Sequence, residues 1–261
     1  MILIFSIAML LSGGDGSVSL PRCERDGHTF YLSGRIDPEL SACVQANFAA
    51  DVSEIVVDSQ GGDADQSLLI AEHVEGSRFT LRVRGQCSSG CANLLLPLAE
   101  RVIVEPGSYI LLHGSLDPQQ LEREIIRPRQ RLISRALREN PHLRRDEVET
   151  NYDAATSQTR RLMDRLTVFA ARNRIHPGWL FYREAHDRGL GRHVAGRLQG
   201  REPTFVLVEE PLIRSCLPHV QVEPFQAGLE ASFIENSERF GRFRSSGNMR
   251  PMDLVCVSKR D

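Results

Sequence analysis

Gly85-Gln86-Cys87-Ser88-Ser89-Gly90-Cys91 is the stretch on which the reading of this chain turns, because of its flanks. Upstream, Ile55-Val56-Val57-Asp58-Ser59-Gln60-Gly61-Gly62 reads as a buried strand ending in a Gly-Gly turn. Downstream, Ala92 to Leu98 reads as an apolar helix, and the strands Arg101-Val102-Ile103-Val104 and Tyr109-Ile110-Leu111-Leu112 then deliver His113. A serine at a strand-to-helix corner, with a Gly-rich turn before it and a histidine after it, has the parts of an acyl-transfer site. Such chemistry needs an exposed hydroxyl, a base to take its proton and backbone N–H groups for the developing oxyanion.

Outward from this centre the pattern alternates. Thr29 to Ile36 is predicted as a strand broken at Gly34, and Pro38 to Ala50 as a helix with Leu40, Val44 and Phe48 on one stripe. Glu54 to Asp58 is a strand, and Ala64 to Val74 a helix with Asp63 or Asp65 as N-cap. Phe79 to Val83 is the strand entering the serine turn. Strand–helix repetition with near-continuous apolar strands predicts an α/β fold, a parallel sheet covered by helices. Residues 115–171 turn helical and Arg-rich, with one apolar stripe at Leu121, Ile125, Leu132, Ile133 and Leu137 and another at Leu162, Met163, Leu166, Phe169 and Ala170. Pro128 is a kink or a new start, and Glu139-Asn140-Pro141 is a break. The interleaved Asp and Glu make these arginines a solvated face rather than a binding patch. Residues 202–261 read as a small β-rich appendage, with strands at Thr204–Val208 and Leu254–Val257.

The order of parts resembles the Clp protease proteolytic subunit and its relatives in the Clp/crotonase superfamily. The corresponding strings here are Ser59-Gln60-Gly61-Gly62, Gly85-Gln86-Cys87-Ser88-Ser89-Gly90 and Leu111-Leu112-His113. The resemblance runs from about Thr29 to His113, fades through residues 114–200 and is absent beyond. The Cys-x-Ser-x-Cys setting of Ser89 is similar to that of exported bacterial Clp-like proteins. The resemblance implies a spiral of β-β-α units spanning residues 20–201 with an enlarged helical arm at about 115–171. It also implies a serine peptidase acting on short or unfolded polypeptide, and oligomer contacts through the arm. By that resemblance Ser89 rather than Ser88 is the nucleophile, His113 the general base, and the N–H groups of Gly62 and Gly90 the oxyanion hole. The third member is a carboxylate after the arm: Asp187, with Glu184 and Asp164 as competitors, or a Ser–His dyad if none serves. Against the family pattern, Pro becomes Gln60 and Met becomes Gly90, and Asp63 and Asp65 make the next helix start acidic. The reading from another class is a catalytically silent Clp-fold protein that holds peptide in the same groove. Crotonase-type acyl-CoA enzymes share the oxyanion N–H pair but lack a Ser–His pair, so Ser89 with His113 favours hydrolysis. The related signal-peptide peptidases use a lysine base, and the only lysine here is Lys259, close to the C-terminus.

Composition sets the compartment. The net charge of −2 gives no bulk attraction to nucleic acid or anionic lipid. Met1 to Leu11 is an apolar run too short to span a bilayer but suited to a signal-peptide core, with cleavage expected before residue 20. It lacks a positive n-region, so a buried strand is the alternative, and an uncleaved leader would tether the protein to the membrane. Six cysteines fall into local sets, Cys23 with Cys43, Cys87 with Cys91, and Cys216 with Cys256, which fits export to an oxidising space such as the bacterial periplasm. Six reduced thiols in a cytosolic protein are the alternative. Cys87 and Cys91 stand too far apart in a regular helix for a relaxed disulfide. The tight turn at Cys87 can close that gap; a redox pair or half of a metal site is the other reading. No cofactor or metal is expected.

Overall fold

The computed structural model describes residues 22–112, 118–180 and 206–225. They fall into two compact units, one of residues 22–112, 164–180 and 206–225 and the other of residues 118–163. The first is a mixed α/β unit on an eight-stranded sheet.

Strand β1 (Cys23–Asp26) forms an antiparallel hairpin with β2 (Thr29–Ile36). From β2 the sheet runs parallel through β3 (Glu54–Gly62), β4 (Thr80–Ser88) and β5 (Arg101–Val104). Helix α1 (Pro38–Asn47) connects β2 to β3, and α2 (Ala64–Val74) connects β3 to β4. Asp37 and Asp63 cap these helices, accepting from the N–H groups of Leu40 and Gln66, as Asp does at an N-cap. Disulfide Cys23–Cys43 staples β1 to α1, with Cα atoms 6.3 Å apart.

The register explains which face is buried. Phe30, Ile55, Leu81 and Val102 form one cross-strand row, and Leu32, Val57, Val83 and Val104 the next, all buried. On the other face, Thr29, Glu54, Thr80 and Arg101 precede the first of these rows, and Tyr31, Val56, Arg82 and Ile103 lie between the two. The first face is uniformly apolar; the second mixes polar and apolar residues, with Val56 buried there as the run Ile55-Val56-Val57 suggests. Arg82 bridges Glu54 at 2.8 Å across the second face, so its stem lies along the sheet while its charge is paired. The break expected at Gly34 is a register shift between Ser33 and Arg35.

Two differences from expectation bear on the serine turn. β3 continues to Gly62 in register with Arg35 and Ile36, so Gly61-Gly62 belongs to the strand and not to a turn after it. The expected helix after Gly90 is a π-helical turn, Cys91–Leu95, followed by a 3₁₀ turn, Leu96–Leu98. Pro97 ends the π ladder, since it has no N–H with which to continue it. The Ala92 carbonyl, which a π pattern would pair with residue 97, instead accepts the indole N–H of fully buried Trp179 at 3.0 Å.

β6 (Tyr109–Leu112) pairs with the end of β4, and the two-residue β7 (Val206–Leu207) pairs antiparallel with β6. After α7 (Glu210–Cys216), β8 (Gln221–Val222) adds parallel to β5. The described part of 202–261 thus carries a helix as well as strands, and both strands extend the central sheet. Of the expected strand Thr204–Val208, Val206–Leu207 is formed; the one expected at Leu254–Val257 lies outside the described residues.

The second unit is helical: α3 (Pro118–Leu121), a π-helical turn Glu122–Ile126, α4 (Arg129–Glu139) and the start of α5 (Arg145–Arg172). Pro128 is the N-cap of α4, a new start. The arginines are largely paired within the unit: Arg129 reaches Asp153 at 2.8 Å, Arg135 reaches Glu139 at 2.7 Å, and Arg160 reaches Glu122 at 3.7 Å. In the first unit Pro177–Leu180 forms one further turn, α6.

Candidate functional site

β4 changes partner part-way along. Thr80–Val83 pairs with β5, whereas Gln86–Ser88 pairs with β6. The change is made in a bulge: Val57 faces Val83 and Ser59 faces Cys87, so Asp58 alone stands opposite Arg84, Gly85 and Gln86. Gly85 takes φ +108°, and a Cβ there would lie 2.5 Å from Asp58 Oδ1; only glycine fits.

At the end of β4 the chain turns through Ser89 at φ +54°. For a non-glycine residue this left-handed conformation costs about 1–2 kcal/mol, and the surroundings hold it. The Ser89 N–H donates to the Leu111 carbonyl at 3.0 Å, and the Ser89 carbonyl accepts the Asn93 N–H at 2.7 Å. Disulfide Cys87–Cys91 spans the turn with Cα atoms 5.3 Å apart. Both cysteines are fully buried and Ser88 is buried, while Ser89 is half-exposed at the corner. With the two thiols bonded to each other, a metal half-site falls away. Among the described residues no group of three or more His, Cys, Asp or Glu is placed to hold a metal ion.

β3 backs directly onto this corner. Gly61, at φ +78°, approaches so closely that a Cβ would lie 2.5 Å from the Ser88 carbonyl oxygen, 2.5 Å from Ser89 Cβ and 2.8 Å from Gly90 N. A Cβ on Gly90 would lie 2.1 Å from Ser67 Oγ, and one on Gly62 2.0 Å from the Ile36 carbonyl oxygen. Ser59, fully buried, donates to the Gly34 carbonyl at 2.7 Å and accepts the Gly61 N–H at 3.1 Å, which locks the approach.

A polar layer that the motif did not reveal lies behind the turn. Asp58 Oδ1 accepts the Gln86 N–H at 3.0 Å, and buried Ser108 Oγ accepts the Gly85 N–H at 2.8 Å. The side chain of Gln86 accepts from Ser88 Oγ at 3.4 Å and from the Tyr109 hydroxyl at 3.5 Å. Burial pushes the Asp58 carboxyl above its ordinary range, opposed by the Gln86 hydrogen bond. Burial and then the charge of Asp58 push the Tyr109 hydroxyl up to about 12. No side-chain pattern in the sequence marks this layer, because Asp58 and Ser108 serve backbone N–H groups that only the bulge sets free.

The structure thus brings Ser89, Gly90 and the Gly61-Gly62 segment together at one corner. His113, Asp187, Glu184 and Cys256 lie outside the described residues, and Asp164 is an exposed residue of α5. Cys216 is disulfide-bonded, and no described cysteine is free. Among the described residues no helix is long and apolar enough to cross a membrane.

A variant of ClpP1 from Listeria monocytogenes is similar over 48% of this chain and 78% of its own, at 19% identity and a TM-score of 0.32. A likeness of that size carries no weight for activity. No family model matches the sequence, and no curated protein matches it.

Proposed function

We propose that this protein is an exported, Clp-like serine hydrolase, a peptidase for short or unfolded polypeptide, with Ser89 as its nucleophile. The observation that carries this reading is Ser89 itself: a half-exposed serine at φ +54°, on a strand-to-helix corner clamped by Cys87–Cys91. Strained backbone of this kind is retained where a nucleophile must be presented.

His113 is the general base in this reading. It follows Leu111 by two residues in the chain, and the Leu111 carbonyl holds the Ser89 N–H, which supports this choice of base. His113 takes the Ser89 proton as Oγ attacks the scissile carbonyl, then returns it to the leaving amine; water repeats the sequence on the acyl-enzyme. The N–H groups of Gly62 and Gly90 stabilise the oxyanion, and the close packing of Gly61 against Ser89 and Gly90 supports their convergence. Asp187 orients the His113 ring, with Glu184 and Asp164 as the other carboxylates for that role.

Export is supported by the disulfides Cys23–Cys43 and Cys87–Cys91, which persist in an oxidising space such as the periplasm. The arm carries contacts between copies of the chain, in keeping with Ile125, Ile126, Leu132 and Leu137 being only half-buried. The test of the catalytic reading is labelling of the oxidised protein with a fluorophosphonate. Wild type labels and Ser89→Ala does not; labelling that survives the substitution, or that never occurs in folded wild type, removes the enzyme reading.

A further inference from the structure

The β4 bulge is where the strand leaves β5 and takes β6 as its partner, so it sets where Ser89 lies relative to the end of β6. A bulge removes backbone groups from the ladder, and each buried N–H then needs another acceptor. Two N–H groups in this bulge, those of Gly85 and Gln86, are both taken by side chains. Ser108, just before β6, accepts the first, and Asp58, on β3, accepts the second. The bulge is thereby tied on one side to the strand carrying Gly61-Gly62 and on the other to the strand whose Leu111 carbonyl holds Ser89.

We propose that Asp58, with Ser108, is a positioning residue: the pair fixes the β4 bulge and, through it, the register of Ser89 against β6. This rests on the reading of Ser89 as nucleophile for its kinetic consequence, though not for the clamp itself. Asp58 acts through backbone, accepting at Oδ1 and filling the space that Gly85 leaves open, and touches no reacting atom. Asparagine keeps an acceptor at the same atom; alanine removes it and leaves the Gln86 N–H without that partner. Displacing a reacting group by about 1 Å can cost about 10²-fold in rate, so a small shift of the corner is enough.

The experiment uses the full oxidised chain as wild type, Asp58→Asn, Asp58→Ala and Ser108→Ala. Saturation labelling with a fluorophosphonate separates the maximal rate from probe affinity, and amide exchange by nuclear magnetic resonance reads Gly85 and Gln86 directly. Asp58→Ala is expected to lower the maximal rate by about 10²-fold with affinity unchanged. Its Gln86 N–H should exchange roughly tenfold faster, the size of one lost hydrogen bond. Asp58→Asn restores both. Alanine and asparagine variants that behave alike, whether both impaired or both normal, overturn the proposal. If folded wild type does not label, the nucleophile reading fails and exchange alone decides: faster Gln86 exchange in the alanine variant than in the asparagine one supports the clamp, and equal rates overturn it. Should Asp58→Ala not fold, Ser108→Ala decides by the same two readouts, with lost Gly85 protection supporting the clamp and retained protection refuting it.

Discussion

Replacing Gly61 by alanine tests whether β3 and the serine corner pack as closely as the geometry requires. Two costs arise. A methyl-bearing residue at φ +78° sits in the left-handed region, at about 1–2 kcal/mol. The new Cβ would also lie 2.5 Å from the Ser88 carbonyl oxygen and 2.8 Å from Gly90 N; these are backbone atoms, and relief by shifting a packed segment costs about 1–3 kcal/mol more. The sum is about 2–5 kcal/mol, and at about 2–4 °C per kcal/mol for a domain of this size Tm falls by about 4–20 °C. Gly76 provides the control. Its φ is +80° but a Cβ there meets nothing within 4 Å, so Gly76→Ala carries the strain without the clash. The entropy that alanine removes from the unfolded chain is common to both variants and cancels. Thermal unfolding by circular dichroism on oxidised protein measures the difference, with fluorophosphonate labelling below both Tm values as the functional readout. A Gly61→Ala protein no less stable than Gly76→Ala, and labelling at the wild-type rate, would refute the close approach.

Three further outcomes follow from the same structure. Chain-entropy arguments put the loss of Cys23–Cys43, with its separation of 20 residues, at about 3 kcal/mol and that of Cys87–Cys91, with its separation of 4, at about 2 kcal/mol. Urea titration of the paired Ser variants reads both, and only loss of the second pair should slow labelling at Ser89. Burial raises the Asp58 carboxyl above its unfolded value, so its contribution is present below about pH 4 and is lost as pH rises through the folded value. Wild type therefore loses stability relative to Asp58→Asn between acid and neutral pH, and parallel urea midpoints across that range would reject the shift. Light scattering of the oxidised protein should give at least twice the mass of one chain, and a monomer at high concentration would reject assembly through the arm.

The sequence carried the sheet well because its strands are near-continuous apolar runs alternating with helices, and α2 because an Asp N-cap marks its start. It was least legible where one residue overrode a periodicity. The apolar run that reads as α-helix is a π turn cut short at Pro97, and Gly61 at positive φ remained within a strand although Gly-Gly reads as its end. Ser89 was found from motif order, whereas its left-handed backbone needed the Leu111 contact and the Gly61 approach, both long-range. Asp58 and Ser108 were missed because their partners are backbone N–H groups freed by a bulge, which no side-chain pattern announces. The run Ile55-Val56-Val57 suggested burial on both faces, and Val56 is buried although its register row holds Tyr31 and Arg82.

The most direct test is to locate the covalent adduct. Folded, oxidised protein is treated with a fluorophosphonate, digested without reduction and mapped by tandem mass spectrometry. The structure-based account predicts a single adduct, on Ser89, in the peptide that still carries the Cys87–Cys91 bridge. An adduct on Ser88 or on a serine remote from this corner, or none on protein whose circular dichroism shows it folded, would contradict it.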